Sequence, residues 1–264
     1  MFIPYHKLNF QQKHQIIEAF NDGMECRDIP NYIGVSGRAV ARILNEAGIN
    51  TKRRNRYTLN ESYFDVINSQ VKAYLLGLLA ADGCVTRTNY VAFESIDREL
   101  TELLSNELQY SGKIRIVKPQ GYNPHYRLNF SSQRLASALC SYSIVTGRMF
   151  SGIYYFPNSE YLASYILGYF DGDGCAYVNE GRSGGLVCIV GSLEFTSELV
   201  RHLGMGVVNK HILKKAYYWR IFSRKNIEAF YNLVYQNQDL GLQRKKRKIE
   251  KILRSYRRGK NSQS

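Results

Sequence analysis

The chain is short of acid, of clustered cysteine and of long apolar runs, and each shortage excludes something. Its 264 residues carry 22 Asp and Glu against 36 Lys and Arg, a formal net charge of +14 and a pI near 9.5. A balance this basic suits a polyanionic partner, with nucleic acid the first candidate. The five cysteines, Cys26, Cys84, Cys140, Cys175 and Cys188, form no CxxC pair, and the five histidines are equally scattered. That excludes a zinc signature and a disulfide framework, and reads as free thiols in a reducing compartment. No apolar run approaches the ~20 residues of a membrane span. Met1 to Phe10 lacks the apolar core of a signal peptide. The expectation is a soluble, intracellular protein with no membrane partner.

What is present is an ordinary 44% of hydrophobic residues, enough at this length for one large domain or two smaller ones. The positive charge is concentrated. Residues 241–264 hold ten Lys or Arg and one acid, Glu250, a net +9. A second cluster, Lys52, Arg53, Arg54 and Arg56, falls in a stretch read as a linker.

The chain also repeats itself. Tyr74 to Val85 reads YLLGLLAADGCV and Tyr165 to Val178 reads YILGYFDGDGCAYV, with Gly77 and Gly168 91 residues apart. After each motif comes a β-like stretch, then Ser95-Ile96-Asp97 or Ser192-Leu193-Glu194 opening a helical pattern with a serine cap and an early acid. Two further alternating stretches and a helix follow in both halves. Each half reads α-β-β-α-β-β-α. In the first half Leu128 and Phe130 oppose Arg127, Asn129 and Ser131, and Ile114 and Ile116 oppose Lys113 and Arg115. Each sheet is expected to have an apolar face under helices and a basic, polar face left open. Arg and Lys pair with guanine edges and Asn with adenine. The candidates are Arg87, Lys113, Arg115, Arg127 and Asn129 in the first half, and Tyr177, Lys210 and Arg220 in the second.

If each motif is a helix, Gly77 and Ala81 share a face, as do Gly168 and Gly172. Small residues at that spacing let two helix backbones approach closely. The helix ends then carry Asp82 and Asp173, each followed by a helix-ending glycine, Gly83 or Gly174. A carboxylate at a helix C-terminus costs roughly 0.3–1 kcal/mol, and two brought together repel. Bound divalent cations offset such a cost. An oxygen-only site suits Mg²⁺, which binds few carboxylates and shares its shell with phosphate and water. Paired carboxylates and metals beside a phosphodiester are the parts of metal-assisted hydrolysis.

Leu75 to Gly83 (LLGLLAADG) and Ile166 to Gly174 (ILGYFDGDG) closely resemble the paired motifs of LAGLIDADG homing endonucleases, and the resemblance spans nearly all of residues 58–257. It implies an α+β fold: two pseudo-symmetric αββαββα halves forming a saddle that straddles duplex DNA. It implies cleavage of both strands across the minor groove, 3′ overhangs, and Mg²⁺ (or Mn²⁺) held by Asp82 and Asp173 with Gly83 and Gly174. The family's basic residue near the metals matches Lys245 in the second half, and Arg148 stands where Lys is usual in the first. Gln133 and Lys225 are weaker supporting candidates. The sixth motif position is Ala80 in one copy and Asp171 in the other, where the resemblance assigns helix support rather than metal binding. Two motifs in one chain imply a monomer. The alternative reading is a non-cleaving nucleic-acid binder, either an intron RNA maturase or a transcription regulator; the presence of both motif acids favours cleavage. Gly152-Ile153-Tyr154 with Tyr165-Ile166-Leu167 imitates a GIY-YIG pair, but Tyr165 already belongs to the repeat.

Residues 10–48 form a separate small all-α unit resembling a helix-turn-helix. A first helix ends near Asn21-Asp22-Gly23, a second spans Glu25 to Tyr32, and Ser36 caps a third after a tight turn. Arg38 and Arg42 on the third helix are its candidate major-groove residues. Pro30 inside the second helix predicts a late start or a kink. The expected organisation is residues 1–49 helix-turn-helix, 50–70 basic linker, 71–157 first half, and 158–264 second half with a basic C-terminal helix.

Overall fold

The computed structural model describes residues 2–24, 26–49, 57–118, 121, 123–145, 154–212, 216–236 and 239–258. The chain divides into two compact units, Met1–Arg56 and Tyr57–Ser264.

The first unit has a 3₁₀ turn at Tyr5–Lys7 and three helices: α1 (Phe10–Asn21), α2 (Ile29–Ile33) and α3 (Gly37–Glu46). Asn9 and Gln12 cap α1 reciprocally, each side chain accepting from the other's backbone N–H. The second helix starts at Ile29, four residues later than its sequence pattern suggests. Pro30 sits in its first turn, where a missing N–H costs no helical hydrogen bond. Gly34 then turns the chain at φ 78°. Ser36 Oγ accepts from Ala39 N–H at 3.2 Å and opens α3. Ile16, Ile29, Val40 and Leu44 make the unit's core.

The second unit runs α4 (Gln70–Asp82), β1 (Gly83–Val85), β2 (Tyr90–Ser95), α5 (Arg98–Glu107), β3 (Arg115–Val117), β4 (His125–Ser131), α6 (Gln133–Ser141). It then repeats the order: α7 (Ser159–Asp173), β5 (Gly174–Val178), β6 (Gly185–Gly191), α8 (Leu193–Leu203), β7 (Val207–Lys210), β8 (Tyr217–Ile221), α9 (Arg224–Tyr235). A further helix, α10 (Gln243–Arg258), closes the described chain. The sheets are antiparallel with equivalent strand orders, β1-β2-β4-β3 and β5-β6-β8-β7.

The α4–α7 pair lies at the centre. Every residue from Ala73 to Ala81 is buried. A helix enclosed on all sides needs no polar stripe, and this one has none. The two helices touch backbone to backbone. A Cβ on Gly77 would collide with the carbonyl of Tyr165, and one on Gly168 with the carbonyl of Tyr74. Gly172 packs the same way against the Ala81 methyl group. The small-residue faces therefore meet as expected.

Two expectations are revised. Tyr57 to Ser69, read as linker, is packed onto the first half. Phe64 and Tyr63 are buried, and the Tyr57 hydroxyl accepts from Ser131 N–H at 2.8 Å. The edge strand β3 does not bury Ile116, which is 59% exposed. Gly83 and Gly174 end their helices as expected, in extended backbone at φ −81° and −95°. Each helix passes directly into a strand there, and a Cβ would strike the helix's own carbonyl at Leu79 or Phe170.

Candidate active site

Because α4 and α7 pack at matched glycines, their C-terminal ends arrive together. Asp82 is exposed and Asp173 half-buried. Asp82 lies over Gly172, so close that a Cβ on Gly172 would stand 3.0 Å from its Oδ2. The two motif acids thus share one end of the helix pair, each one residue before the first strand of its sheet.

The second half surrounds that end with groups that have no match among the described residues of the first half. Asp171, 3% exposed, accepts from the Tyr74 hydroxyl of the opposite half at 2.9 Å and from Leu242 N–H at 2.8 Å, both at Oδ2. Its Oδ1 is buried with no hydrogen-bond partner. Burial pushes its carboxyl up to about 6, against the opposing pull of Leu242 N–H, Lys245 and Tyr74. Leu242 N–H lies just ahead of α10, so Asp171 places negative charge at that helix's N-terminus. Its equivalent Ala80 is simply buried against the core.

In the first turn of α10 stands Lys245, 5% exposed. Its Nζ donates to the carbonyls of Phe170 and Gly174 at 2.7 Å and Asp171 at 2.8 Å, with Gly172 farther at 3.4 Å. These are carbonyls at the end of α7, where a helix leaves its acceptors unsatisfied. Burial holds the ammonium down at about 8, which still leaves it charged at neutral pH. A protein cation therefore offsets part of the electrostatic cost that the sequence alone assigned to metals. It also donates to the Gly174 carbonyl, one of the expected metal ligands. Beside it, Arg244 forks onto Asp97, Nε to Oδ1 at 2.8 Å and Nη2 to Oδ2 at 2.5 Å. Asp97 is the N-terminal cap position of α5 but caps nothing with its side chain, which is turned to Arg244. Sequence reading missed this tie because its partners are 147 residues apart and neither motif contains Asp97.

A family model described as LAGLIDADG-like domain matches the sequence twice, over residues 69–142 and 160–235, together more than half of the chain. The chain belongs to the LAGLIDADG-like domain family. A sequence comparison with curated proteins finds no match. Among solved structures, the LAGLIDADG meganuclease I-AabMI, bound to uncleaved DNA, superposes with a TM-score of 0.53 at 13% identity. The match covers 74% of this chain and 92% of that one. The LAGLIDADG homing endonuclease I-LtrWI, bound to target DNA, gives 0.49 at 14% identity, covering 75% and 92%. The shared feature is the fold, two sheets around a central helix pair, which is the α+β architecture expected from the repeat.

The remaining LAGLIDADG site candidates divide between the open sheet faces and other surfaces. On the first sheet Arg115 stands opposite Arg127, and Asn129 opposite Ala92, all on the face away from the helices. Arg127 is held there by Glu94 at 2.7 Å. Arg87 is exposed in the β1–β2 turn and Lys113 is exposed just before β3. On the second sheet Tyr177 is exposed, and Arg220 lies over the Tyr218 ring at 4.4 Å. Lys210 is paired with Tyr217 and so shares the helix-covered side with Val208 and Trp219; it is exposed only because its strand ends there. The open face of the second sheet is not the basic surface expected. Among its described strand residues Arg220 is the cation, with Cys175, Tyr177, Leu186, Val190 and Tyr218 around it. Gln133 and Lys225 are exposed in the first turns of α6 and α9. In the N-terminal unit Arg38 is exposed, whereas Arg42 is paired with Glu46 at 2.9 Å and lies over the Tyr5 ring at 3.9 Å. Lys52, Arg53, Arg54, Arg56 and Arg148 lie outside the described residues. Among the described residues no group of three or more His, Cys, Asp or Glu is placed to hold a metal, and no helix is long and apolar enough to cross a membrane.

Proposed function

We propose that this chain is a site-specific endonuclease of double-stranded DNA, acting as a monomer with Mg²⁺ or Mn²⁺ and hydrolysing one phosphodiester bond in each strand. The observation that carries the reading is the meeting of Asp82 and Asp173 at one end of the α4–α7 pair, between two sheets of equivalent topology. A protein of similar fold binds DNA, since I-AabMI is seen on uncleaved DNA.

The residues fit an oxygen-liganded divalent ion. Among the described residues no third His, Cys, Asp or Glu joins these two carboxylates in a metal-holding group, which suits a site completed by water and substrate phosphate. Asp82 and Asp173 would hold it with the carbonyls of Gly83 and Gly174, the latter also accepting from Lys245. When bound, the ion supplies an activated water and stabilises the leaving oxygen. The chain's own part is positioning. Lys245 holds the end of α7 that carries Asp173, Asp171 anchors the start of α10, and Arg244 ties α10 to the first half. Lys245 is assigned this positioning role rather than that of a proton acceptor, because its hydrogen atoms are committed to carbonyls. Arg148, its sequence counterpart in the first half, is assigned a phosphate-steadying role, since a guanidinium is a poor proton acceptor. Arg87, Lys113, Arg115, Arg127, Asn129, Tyr177 and Arg220 are the proposed DNA contacts of the sheets. Cleavage is expected across the minor groove with 3′ overhangs. The N-terminal unit, through Arg38, and the basic run Lys52–Arg56 are proposed as a separate DNA contact beyond the sheets.

The test is direct. Purified protein is incubated with Mg²⁺ and a pool of randomised duplex DNA, and every new end is sequenced. Recurrent double-strand ends at one long site, lost with EDTA, are the expected result. Protein that retains one duplex from the pool and never cuts it, with Mg²⁺ or Mn²⁺, overturns the reading in favour of a binder.

A further inference from the structure

The sequence scatters its cysteines, but the second sheet brings two of them face to face. In the antiparallel pairing of β5 with β6, Cys175 stands directly opposite Cys188. Opposed residues of such a pair send their side chains to the same face with Cα atoms about 4.5–5.5 Å apart. That lies inside the ~4.4–6.8 Å that a disulfide spans. The two thiols differ in access: Cys175 is exposed and Cys188 only 8% exposed. They are near enough to interact, since Cys175 adds to the burial that pushes the Cys188 thiol up. Both are reduced in the structure.

The first half provides an internal comparison. Cys84 holds the place in β1 that Cys175 holds in β5, one residue after the motif glycine, but the residue opposite it is Ala92. Of the other cysteines, Cys26 lies in the N-terminal unit and Cys140 is exposed on α6. Neither lies on these strands.

We propose that Cys175 and Cys188 form a redox-active dithiol that closes into a cross-strand disulfide on the open face of the second sheet, with a low-molecular-weight disulfide as the oxidant. The accessible Cys175 sulfur attacks the oxidant's S–S bond, releases one thiol and forms a mixed disulfide. The Cys188 sulfur then attacks Cys175 across the strands and displaces the second thiol. One external disulfide is reduced to two thiols, which take up the two hydrogens that the cysteines lose. The bond formed joins the strand that follows Asp173 to its neighbour, beside Arg220, which stands opposite Cys188 on β8.

The full chain is incubated with oxidised glutathione, its remaining thiols are blocked, and its peptides are mapped by mass spectrometry. The expected product is a peptide pair linked through Cys175 and Cys188, carrying no glutathione. In Cys188→Ser the same treatment is expected to leave one glutathione on Cys175. Glutathione that persists on Cys175 in the unsubstituted chain overturns the proposal, as does a Cys175 link to any other cysteine. A gain-of-function variant guards against a folding artefact. Ala92→Cys places the same pairing in the first sheet and is expected to link Cys84 to the thiol introduced at position 92; a folded A92C chain that stays glutathionylated at Cys84 counts against the geometric argument. The experiment contains no DNA, so its outcome is independent of the endonuclease reading.

Discussion

Asp171 is a buried acid whose second oxygen has no partner, and that has a measurable consequence. Its carboxyl sits at about 6 instead of the ordinary 3.8. A folded-state value above the unfolded one means that the native state prefers the neutral acid. The native chain then binds the extra proton between about pH 4 and pH 6, and stability on this residue's account falls as pH rises through that window. Above it the cost is complete, about 3 kcal/mol for a two-unit shift. Asp171→Asn keeps an oxygen for Tyr74 and Leu242 and removes the charge. The stability of D171N relative to the unsubstituted chain is therefore expected to rise from pH 4 to pH 6 and then level off, as measured by urea unfolding at each pH. A flat difference would show that the carboxylate is not desolvated. Asp82 and Asp173 differ in kind because both reach the surface of the helix ends. Asp82→Asn or Asp173→Asn is expected to reduce DNA cutting to background while target affinity in a filter-binding assay stays within a few-fold. A variant that cuts at the original rate would exclude that acid from the metal site. Asp82, Asp173, Asp171 and Lys245 all carried signals in sequence, by repetition or by resemblance. Tyr74 was visible as part of the repeat, but its pairing with Asp171 was not, because the hydrogen bond crosses from one half to the other.

Among the elements, the α4–α7 contact and the α10 anchor bear most on the site. The helices approach until the carbonyls of Tyr74 and Tyr165 occupy the space of a Cβ. A methyl group there meets backbone, which cannot turn aside as a side chain does. Gly77→Ala or Gly168→Ala is expected to destabilise by at least about 1–3 kcal/mol, read as a lower urea midpoint at unchanged slope. Equal midpoints would mean that the helices stand farther apart. At the other anchor, Lys245→Met removes the donor to the last carbonyls of α7. The unsatisfied acceptors cost about 1–3 kcal/mol, and loosening the helix end is expected to slow cutting by roughly 10–100-fold, the range for residues that orient metal ligands. Full activity in K245M would show that α7 holds Asp173 without help. Most elements were legible in advance. Ser36 and Ser192, read as caps, each accept from a backbone N–H of the first turn of α3 and α8, and strand alternation marked β4 well. The errors fell where tertiary contact overrode a local rule: Ser95, expected to cap α5, lies two residues ahead of the cap position Asp97, whose side chain serves Arg244, and Ile116 stays exposed on the edge strand.

For the whole molecule, the division into two units has its own test. Residues 57–264 hold a contiguous core, from Phe64 through Phe93 and Trp219 to Ile252. This segment expressed alone is expected to unfold cooperatively with the midpoint it has in the full chain. Its DNA affinity is expected to depend less steeply on salt, by about 0.9 in logarithmic slope for each phosphate that the N-terminal unit and the basic run after it neutralise in the full chain. An unchanged slope would assign that unit no part in DNA binding.

The sequence by itself determined the two-fold repetition, the order of elements in each half, the meeting of two small-residue helices and the two acids at their ends. These are properties of local pattern: helical and strand periods, caps and glycines act over a few residues, and a repeat doubles the signal. The tertiary structure alone decided what those ends touch. The Asp171–Tyr74 bond, the Arg244–Asp97 tie, the commitment of Lys245 to carbonyls and the pairing of Cys175 with Cys188 each join residues whose proximity is set by packing and strand register. No spacing in the chain encodes such contacts, because they depend on the relative placement of elements that the core fixes only once it has formed.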